Sequence, residues 1–373
     1  MRLRIPIKQF GLAPAIALIG MLILAACAAP TGSQPAPTIS VGAAQGASPA
    51  QSSPAPSNGS PAPASSNGPA IPSTPTKLTV AYSETFMGIL PVWMAQDGGY
   101  FQKHGLDVDL QFIASSNAVS ALLANQVQIT SGGGSEAVSA NSTGADLVSV
   151  ATTIGIYPYV FEVRPEIRNV DDLRGKKIGV SAHGSSSDIA SRVVLKRLGL
   201  DPDKDVNVVT VGSAQNRTAA LLNGAIDAGL DQPPGSLIEE AAGLHQLVDV
   251  AGLNLPTPNN TTLVQRSYLN ANHDVVQRYV DAITEAVAAA HKDRAKSIEV
   301  LGKWLQNTDP TAMGAAYDFY LKVGGSPPYP AVDQFNDAVE TLAVDNPAVK
   351  SVDISKMIDR SLIDSAVQRG LDK

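Results

Sequence analysis

The stretch Leu122-Leu-Ala-Asn-Gln-Val-Gln-Ile-Thr130 decides the fold, because the chain uses a similar module again at Leu221-Leu-Asn-Gly-Ala-Ile-Asp-Ala-Gly229. In both copies a helical pattern ends and a short strand begins within three residues. Each strand then runs into a turn, which is polar in the first copy and rich in proline in the second. The repeat predicts two similar α/β lobes.

Two series of strands and helices surround the two modules. Strands are expected at 77–83, 107–113, 127–130, 147–153 and 158–163, and again at 176–180, 206–211, 225–230 and 247–251. Single helical patterns separate most of these strands, as in βαβ units with a mostly parallel sheet. From Tyr268 onward the pattern is almost wholly helical, with only the strand-like Thr261–Gln265 before it. We therefore expect the helical block to pack on the first lobe.

The expected domain organisation is a two-lobed α/β fold with a hinge. Residues 77–373 number about 297, more than a single hydrophobic core usually organises. We assign 77–165 with 256–373 to the first lobe and 166–255 to the second. The chain then crosses between the lobes twice, near 164–169 and near 254–260. Two crossings favour hinge bending around a ligand cleft between the lobes.

Residues 1–26 have the features of a lipoprotein signal peptide. A basic start is followed by the apolar segment Gly11–Leu24 and by small residues that lead into Cys27, the single cysteine of the chain. This arrangement resembles the bacterial lipobox, which implies that the Cys27 thiol carries a lipid. An uncleaved membrane helix is the alternative, and Pro14 within the apolar segment argues against it.

Residues 27–76 are predicted to form the lipidated cysteine and a disordered tether. The tract from Ala28 to Thr76 consists mainly of Pro, Ala, Ser and Gly and holds no charged residue, so it cannot bury enough apolar surface to fold. Removal of the signal peptide takes away three positive charges and changes the formal charge from −7 to −10. This acidic balance argues against nucleic acid as a partner.

Two motifs resemble those of a known family. These are Gly99-Tyr-Phe-Gln-Lys-His-Gly-Leu-Asp-Val108 and Asn169-Val-Asp-Asp-Leu-Arg-Gly-Lys-Lys-Ile-Gly-Val180. They resemble the periplasmic solute-binding proteins of ABC importers, in particular those that bind nitrate, sulfonates, taurine and thiamine precursors. The resemblance implies a periplasmic-binding-protein fold, a small-molecule ligand, and a permease with its ATPase as partners. It also implies a monomer outside the cytoplasm, held to the membrane by the lipid.

The candidate site follows from the general rule that open α/β sheets bind ligands at the carboxyl ends of their strands. Small hydroxyl residues at these ends precede helices, whose N-termini can hold an anion or a polar group. The same serines could instead cap their own helices. The candidate ligand-binding residues are Ser83, Glu84, Thr85, Ser115, Ser116, Gly134, Ser135, Tyr157, Gly184, Ser185, Ser186, Ser213, Asp231 and Gln232.

The charges of this wall leave the ligand class open. Glu84, Glu136 and Asp231 face Arg217 and His183 in the expected arrangement. An oxyanion remains possible because helix N-termini alone can bind one. An amine, or a neutral heteroaromatic ring stacked on Tyr157, fits the residues equally well.

No catalytic motif stands out in the sequence. The five histidines show no metal-ligand spacing, the glycine run 132–134 is too short for a dinucleotide fingerprint, and the cysteine-rich signature of thiamine-precursor enzymes is absent. We expect a binding protein with neither cofactor nor metal. Two alternatives remain: an extracytoplasmic enzyme, for which Glu84 and His183 are the nominated pair, and a ligand sensor that contacts a membrane partner.

Overall fold

A computed structural model describes residues 68–373, which belong to one compact unit. The strands are β1 (Thr76–Tyr82), β2 (Leu106–Phe112), β3 (Ile129–Gly132), β4 (Leu147–Ile156), β5 (Val160–Val163), β6 (Lys177–Val180), β7 (Asn207–Thr210), β8 (Ala228–Asp231), β9 (His245–Val248) and β10 (Pro256–Gln265). The α-helices are α1 (Leu90–Asp97), α2 (Tyr100–Lys103), α3 (Ser115–Leu123), α4 (Ser135–Ser142), α5 (Ser186–Arg197), α6 (Ala214–Asn223), α7 (Gly235–Ala241), α8 (Arg266–Ala271), α9 (His273–Lys292), α10 (Arg294–Trp304), α11 (Pro310–Val323), α12 (Asn336–Asp345) and α13 (Ser361–Gln368).

The two sheets share one topology. The first has the order β2-β1-β3-β10-β4 and the second the order β7-β6-β8-β5-β9. In each, three strands pair in parallel at one side and the fourth strand in the order is antiparallel to both of its neighbours. The repeated order confirms the predicted two-lobed α/β class. The sheets are mixed, however, because β10 and β5 return through them in the opposite direction.

The repeated module has the same conformation in both lobes. Helices α3 and α6 end next to β3 and β8, with Leu122 and Leu221 buried beneath them. A residue with positive φ follows each helix: Asn125 at 57° and Gly224 at 77°. Glycine and asparagine tolerate this left-handed conformation, which turns the chain from the helix into the strand.

The first crossing between the lobes lies earlier than the sequence indicated. Strand β5 pairs with β8 and β9, so Val160–Val163 belongs to the second sheet, although we had placed residues up to 165 in the first lobe. The change of sheet occurs between Ile156 and Val160. There the Tyr157 N–H donates to the Leu255 carbonyl at 3.1 Å, which joins the first crossing to the second.

The C-terminal helices cover the first lobe, with one exception. Buried residues of α9, α10, α11 and α13 share a hydrophobic core with α1 and the first sheet. Helix α12 instead packs against α4 of the first lobe and α5 of the second. It therefore bridges the two lobes, which the helical pattern of 331–344 did not predict.

The N-terminal predictions lie mostly outside the described residues, including Cys27, the signal peptide and residues 27–67 of the tether. Thr76, assigned to the tether, is part of β1, and Ile71 and Pro72 lie close to Gly105 of the first lobe. Residues that pack on the first lobe therefore occur before the predicted boundary. Between residues 68 and 373, none of the helices is both long and apolar enough to cross a bilayer.

Candidate functional site

The two lobes face each other across a cleft at the carboxyl ends of their parallel strands. Ser135 Oγ of the first lobe lies 3.3 Å from Ser186 Oγ of the second, and Gln215 Nε2 donates to the Thr85 carbonyl at 2.9 Å. A cavity of about 540 Å³ opens between the lobes, lined by Thr85 and residues 305–308 on one side and by α6, α7 and residues 231–234 on the other. A second cavity of about 290 Å³ is lined by α3, α4 and residues 182–185.

Glu84 is the central acidic group of the first lobe. It follows β1, and within the described part of the chain its carboxylate makes no hydrogen bond or ion pair. Its pKa is raised to about 7, chiefly by burial; Arg217 opposes the rise, and the neighbouring Glu136 adds to it. Burial also raises the pKa of Glu136, against the hydrogen bond from Ser135. Two carboxyl groups of raised pKa therefore lie near each other in the first lobe.

Arg217 supplies the positive charge of the second lobe. It lies in the first half of α6 and is almost completely buried. Its Nε donates to the Leu230 carbonyl, and its Nη1 donates to Ser181 Oγ at 3.1 Å. These bonds hold the guanidinium at the ends of β6 and β8, where it influences the pKa values of Glu84 and Tyr159.

Tyr159, rather than the predicted Tyr157, lies beside the charged groups. Its hydroxyl accepts a hydrogen bond from Asn259 Nδ2 at 3.0 Å, and burial together with Glu84 raises its pKa. The Tyr157 ring is buried in the core of the second lobe, and its hydroxyl donates to Asp337 Oδ2 at 3.1 Å. Tyr157 therefore links the hinge to α12 and offers no face for a ligand ring to stack on.

Several polar groups at the start of α5 are bonded within the same turn. Gly184 N–H donates to Asp188 Oδ2 at 2.8 Å, Ser185 Oγ donates to the Ala182 carbonyl at 2.7 Å, and Asp188 N–H donates to Ser185 Oγ at 3.4 Å. Gly184 and Ser185 therefore fit the capping alternative. The N–H group of Gly184 and the hydroxyl of Ser185 already donate within the turn and are not free to donate to a ligand. Ser186 does reach the seam between the lobes, opposite Ser135.

Three of the remaining candidates have structural partners. Ser213 caps α6 by accepting from Asn216 N–H at 3.2 Å, and Gly134 donates its N–H to the Pro258 carbonyl at 2.8 Å in the hinge. Ser83 is buried, and its hydroxyl occupies the space next to Gly132 that a Cβ atom at position 132 would need. Ser115 and Ser116 form the first turn of α3.

Asp231 and Gln232 line the larger cavity. Asp231 Oδ2 accepts from Thr218 Oγ1 at 2.5 Å, and its Oδ1 accepts from Gln232 N–H at 2.8 Å. Behind them Glu239 is fully buried, and burial together with Asp231 raises its pKa to about 10. The Gln232 side-chain oxygen is buried with no donor.

The sequence anticipated only part of this arrangement. Of the predicted residues, Thr85, Asp231 and Gln232 line the larger cavity, and Gly184 and Ser185 line the smaller one. Ser135 and Ser186 meet at the seam, and Glu84 lies near Arg217 and Glu136. That any of them contacts a ligand stays a prediction. Arg217 was recognised as a cation of the wall but left out of the candidate set, although its place in the first half of α6 was a usable signal. Tyr159 and Asn259 were missed, because no local pattern shows that β10 brings Asn259 to the hinge.

The nominated catalytic pair does not form. His183 is exposed, and its ring nitrogens lie 3.2 Å from Asp188 and 2.9 Å from Asp345, whereas the charges that act on Glu84 come from Arg217 and Glu136. Among residues 68–373, no group of three or more His, Cys, Asp or Glu side chains is arranged to hold a metal ion.

Known proteins resemble this chain in both sequence and fold. It is 24% identical to YtlA of Bacillus subtilis, named a binding protein, over 70% of this chain and 80% of that one. It is 27% identical to a protein of Escherichia coli K12 named for binding aliphatic sulfonates, over 63% and 73% of the two chains. The alkanesulfonate-binding protein SsuA of Xanthomonas axonopodis, solved with bound MOPS, matches with a TM-score of 0.64 at 20% identity, over 78% and 100%.

A sequence profile of one family covers more than half of the chain. The profile, described as NMT1/THI5 like, matches residues 87–297, a range that includes both modules, the cleft-facing helices and the second sheet. This match confirms the resemblance noted in the motifs, and the chain belongs to the NMT1/THI5-like family.

Proposed function

We propose that this protein captures a small polar solute outside the cytoplasm and delivers it to an ABC importer. One observation carries the proposal: two lobes of identical strand order enclose a cavity of about 540 Å³ that Thr85, Asp231 and Gln232 line. That volume suits a small organic molecule. Glu84, next to Thr85 in the chain, lies close enough to the buried Arg217 for the two charges to interact. The sulfonate-binding name of the Escherichia coli relative supports the same role.

Native mass spectrometry of the full chain, purified in detergent without denaturation, tests this proposal. We expect a small molecule that leaves the protein on unfolding and rebinds on refolding. Unchanged solute after long incubation supports capture without turnover, whereas a chemically altered product favours an enzyme. If no solute co-purifies and no compound of a broad solute library raises the melting temperature, the capture proposal is wrong.

We also propose that Cys27 anchors the protein through a thioether-linked lipid, with the uncharged tract after it as the tether. The anchor would hold the cleft near a permease and its ATPase while leaving it free to reach them. Cys27→Ser should abolish incorporation of a labelled fatty acid and release the protein from the membrane fraction. Retention of the label in Cys27→Ser would contradict this assignment.

A further inference from the structure

Three hydrogen-bond acceptors at or near the cleft have no donor among the described residues. The Glu84 carboxylate makes no hydrogen bond in the described part of the chain. In the amide orientations of the structure, the side-chain oxygens of Gln232 and Asn259 are buried without a donor. Gln232 lines the larger cavity, and Asn259 lies beside Tyr159. A buried acceptor without a donor costs stability, so a ligand that donates to it gains affinity.

Several donors that would suit an anion are engaged within the protein. Two N–H groups of Arg217 donate to the Leu230 carbonyl and to Ser181 Oγ. The N–H groups of Gly184 and Asn216, at the starts of α5 and α6, donate to side chains of their own helices or caps. Neither helix start therefore keeps these donors for a sulfonate or nitrate.

The charges around the cleft also favour a cationic ligand over an anion. Among the described residues around the cleft, the carboxyl groups of Glu84, Glu136 and Asp231 outnumber the buried cation Arg217, which acts on Glu84. A cationic ligand restores the balance, whereas an anion adds to the excess of acid.

We propose that the cleft binds a solute carrying a protonated amine or a comparable cationic N–H group, with Glu84 as its counter-charge. This proposal rests on the solute-capture function and names the class of solute. A cation beside Glu84 stabilises the carboxylate form, so binding below neutral pH releases a proton. The titratable and charged groups that act on Glu84 are Arg217 of the second lobe, Glu136 of its own lobe and Tyr159 at the hinge.

Matched probes that share a ring but differ in the charged group test the proposal. Calorimetry and melting curves of the full chain would compare benzylamine, which carries the ammonium group, with benzenesulfonate, which carries the anion. We expect benzylamine to bind at least about tenfold more tightly, because hydrogen bonds to charged groups contribute most. Its affinity should rise with pH from 5.5 and level off about one unit above pH 7, since burial raises the pKa of the free Glu84 carboxyl to about 7.

A neutral substitution identifies the residue responsible. Glu84→Gln should weaken benzylamine binding at least about tenfold and remove its pH dependence, while leaving the melting temperature of the free protein within a few degrees. Glu299→Gln removes an exposed carboxyl that pairs with Lys296 and serves as the matched control. Tighter binding of benzenesulfonate, or equal benzylamine affinity in wild type and Glu84→Gln, would overturn the proposal.

The two proposals fail in different ways. If native mass spectrometry releases a solute with no protonatable nitrogen, capture stands and the amine assignment is wrong. If neither probe binds and no solute is released, both are wrong. A released amine whose affinity falls in Glu84→Gln supports both.

Discussion

At the scale of single residues, several carboxyl groups of the second lobe are buried, and burial raises the pKa of two of them. Glu162 in β5 is fully buried, and neither of its carboxyl oxygens has a hydrogen-bond partner in the described residues. Burial raises its pKa to about 8, with Glu240 and Asp231 adding to the rise, and the pKa of Glu239 is raised to about 10. Both groups are therefore protonated at neutral pH in the folded protein.

These carboxyls make stability depend on pH. A carboxyl whose folded pKa exceeds its unfolded value contributes stability below the unfolded pKa of about 4.5, and this contribution is lost as pH rises through the folded pKa. We expect the urea midpoint of the wild type to fall between pH 5 and pH 9. Glu162→Gln should flatten this decline, and exposed Glu299→Gln should not. Identical midpoints for wild type and Glu162→Gln at pH 9 would contradict the assignment.

The two tyrosines of the hinge have separable roles. Tyr157→Phe removes the hydrogen bond to Asp337 and should lower the free energy of unfolding by about 0.5–1.5 kcal/mol, without changing affinity for the co-purified solute. Tyr159→Phe removes a hydroxyl beside Glu84 and Asn259 and should weaken that affinity. Urea unfolding and calorimetry check the pair. If Tyr157→Phe weakens binding and Tyr159→Phe does not, Tyr157 and not Tyr159 belongs to the binding site.

At the scale of elements, the start of α5 shows how a plausible anion site becomes a cap. Gly184 has φ of 72°, a conformation that disfavours side chains, and its N–H is held by Asp188. The turn uses the hydroxyl of Ser185 and the carboxylate of Asp188 to satisfy the donors of the helix. The positive φ of this position therefore accounts for a glycine at residue 184, without any role in ligand binding.

Gly184→Ala should therefore change stability more than binding. The left-handed conformation costs a side chain about 1–2 kcal/mol, which we expect as a lower free energy of unfolding with solute affinity retained. Gly314→Ala is the control: Gly314 lies within α11 without a positive φ, so alanine there carries no left-handed penalty, and only the flexible Arg294 side chain must shift slightly. Urea unfolding measures both variants. A tenfold loss of affinity in folded Gly184→Ala would restore this turn as a ligand contact.

At the scale of the whole molecule, three segments join the lobes. The chain crosses after Ile156 and again before Pro256, and α12 packs on both sides. The lobes also touch through Ser135 with Ser186 and through Thr85 with Gln215. This arrangement is a closed cleft, and hinge bending about the two crossings would open it.

Ligand binding should favour the closed arrangement. A solute that touches both walls binds the closed state better and shifts the population toward it. We expect small-angle scattering to show a smaller radius of gyration when the co-purified solute is restored to stripped protein. The gain in stability should approach about 2.7 kcal/mol at one hundred times Kd. An unchanged radius at saturation would contradict closure.

The sequence by itself determined the lobes, the alternating elements and much of the wall. Periodicity reports contacts between residues a few positions apart, and so α6 and the repeated Leu-Leu modules could be located from the sequence. The turn after β1, with Glu84, and the end of β8, with Asp231, could be placed for the same reason: the carboxyl end of a strand is a local feature.

Only the tertiary structure decided what those residues contact. Strand β10 enters the first sheet between β3 and β4, more than one hundred positions along the chain from either, and brings Asn259 to Tyr159. Packing placed α12 on both lobes and turned Tyr157 toward Asp337. Hydrogen bonds between neighbouring loops decided which serine caps a helix and which faces the seam. These contacts depend on the free energy of the assembled chain, which local patterns do not contain.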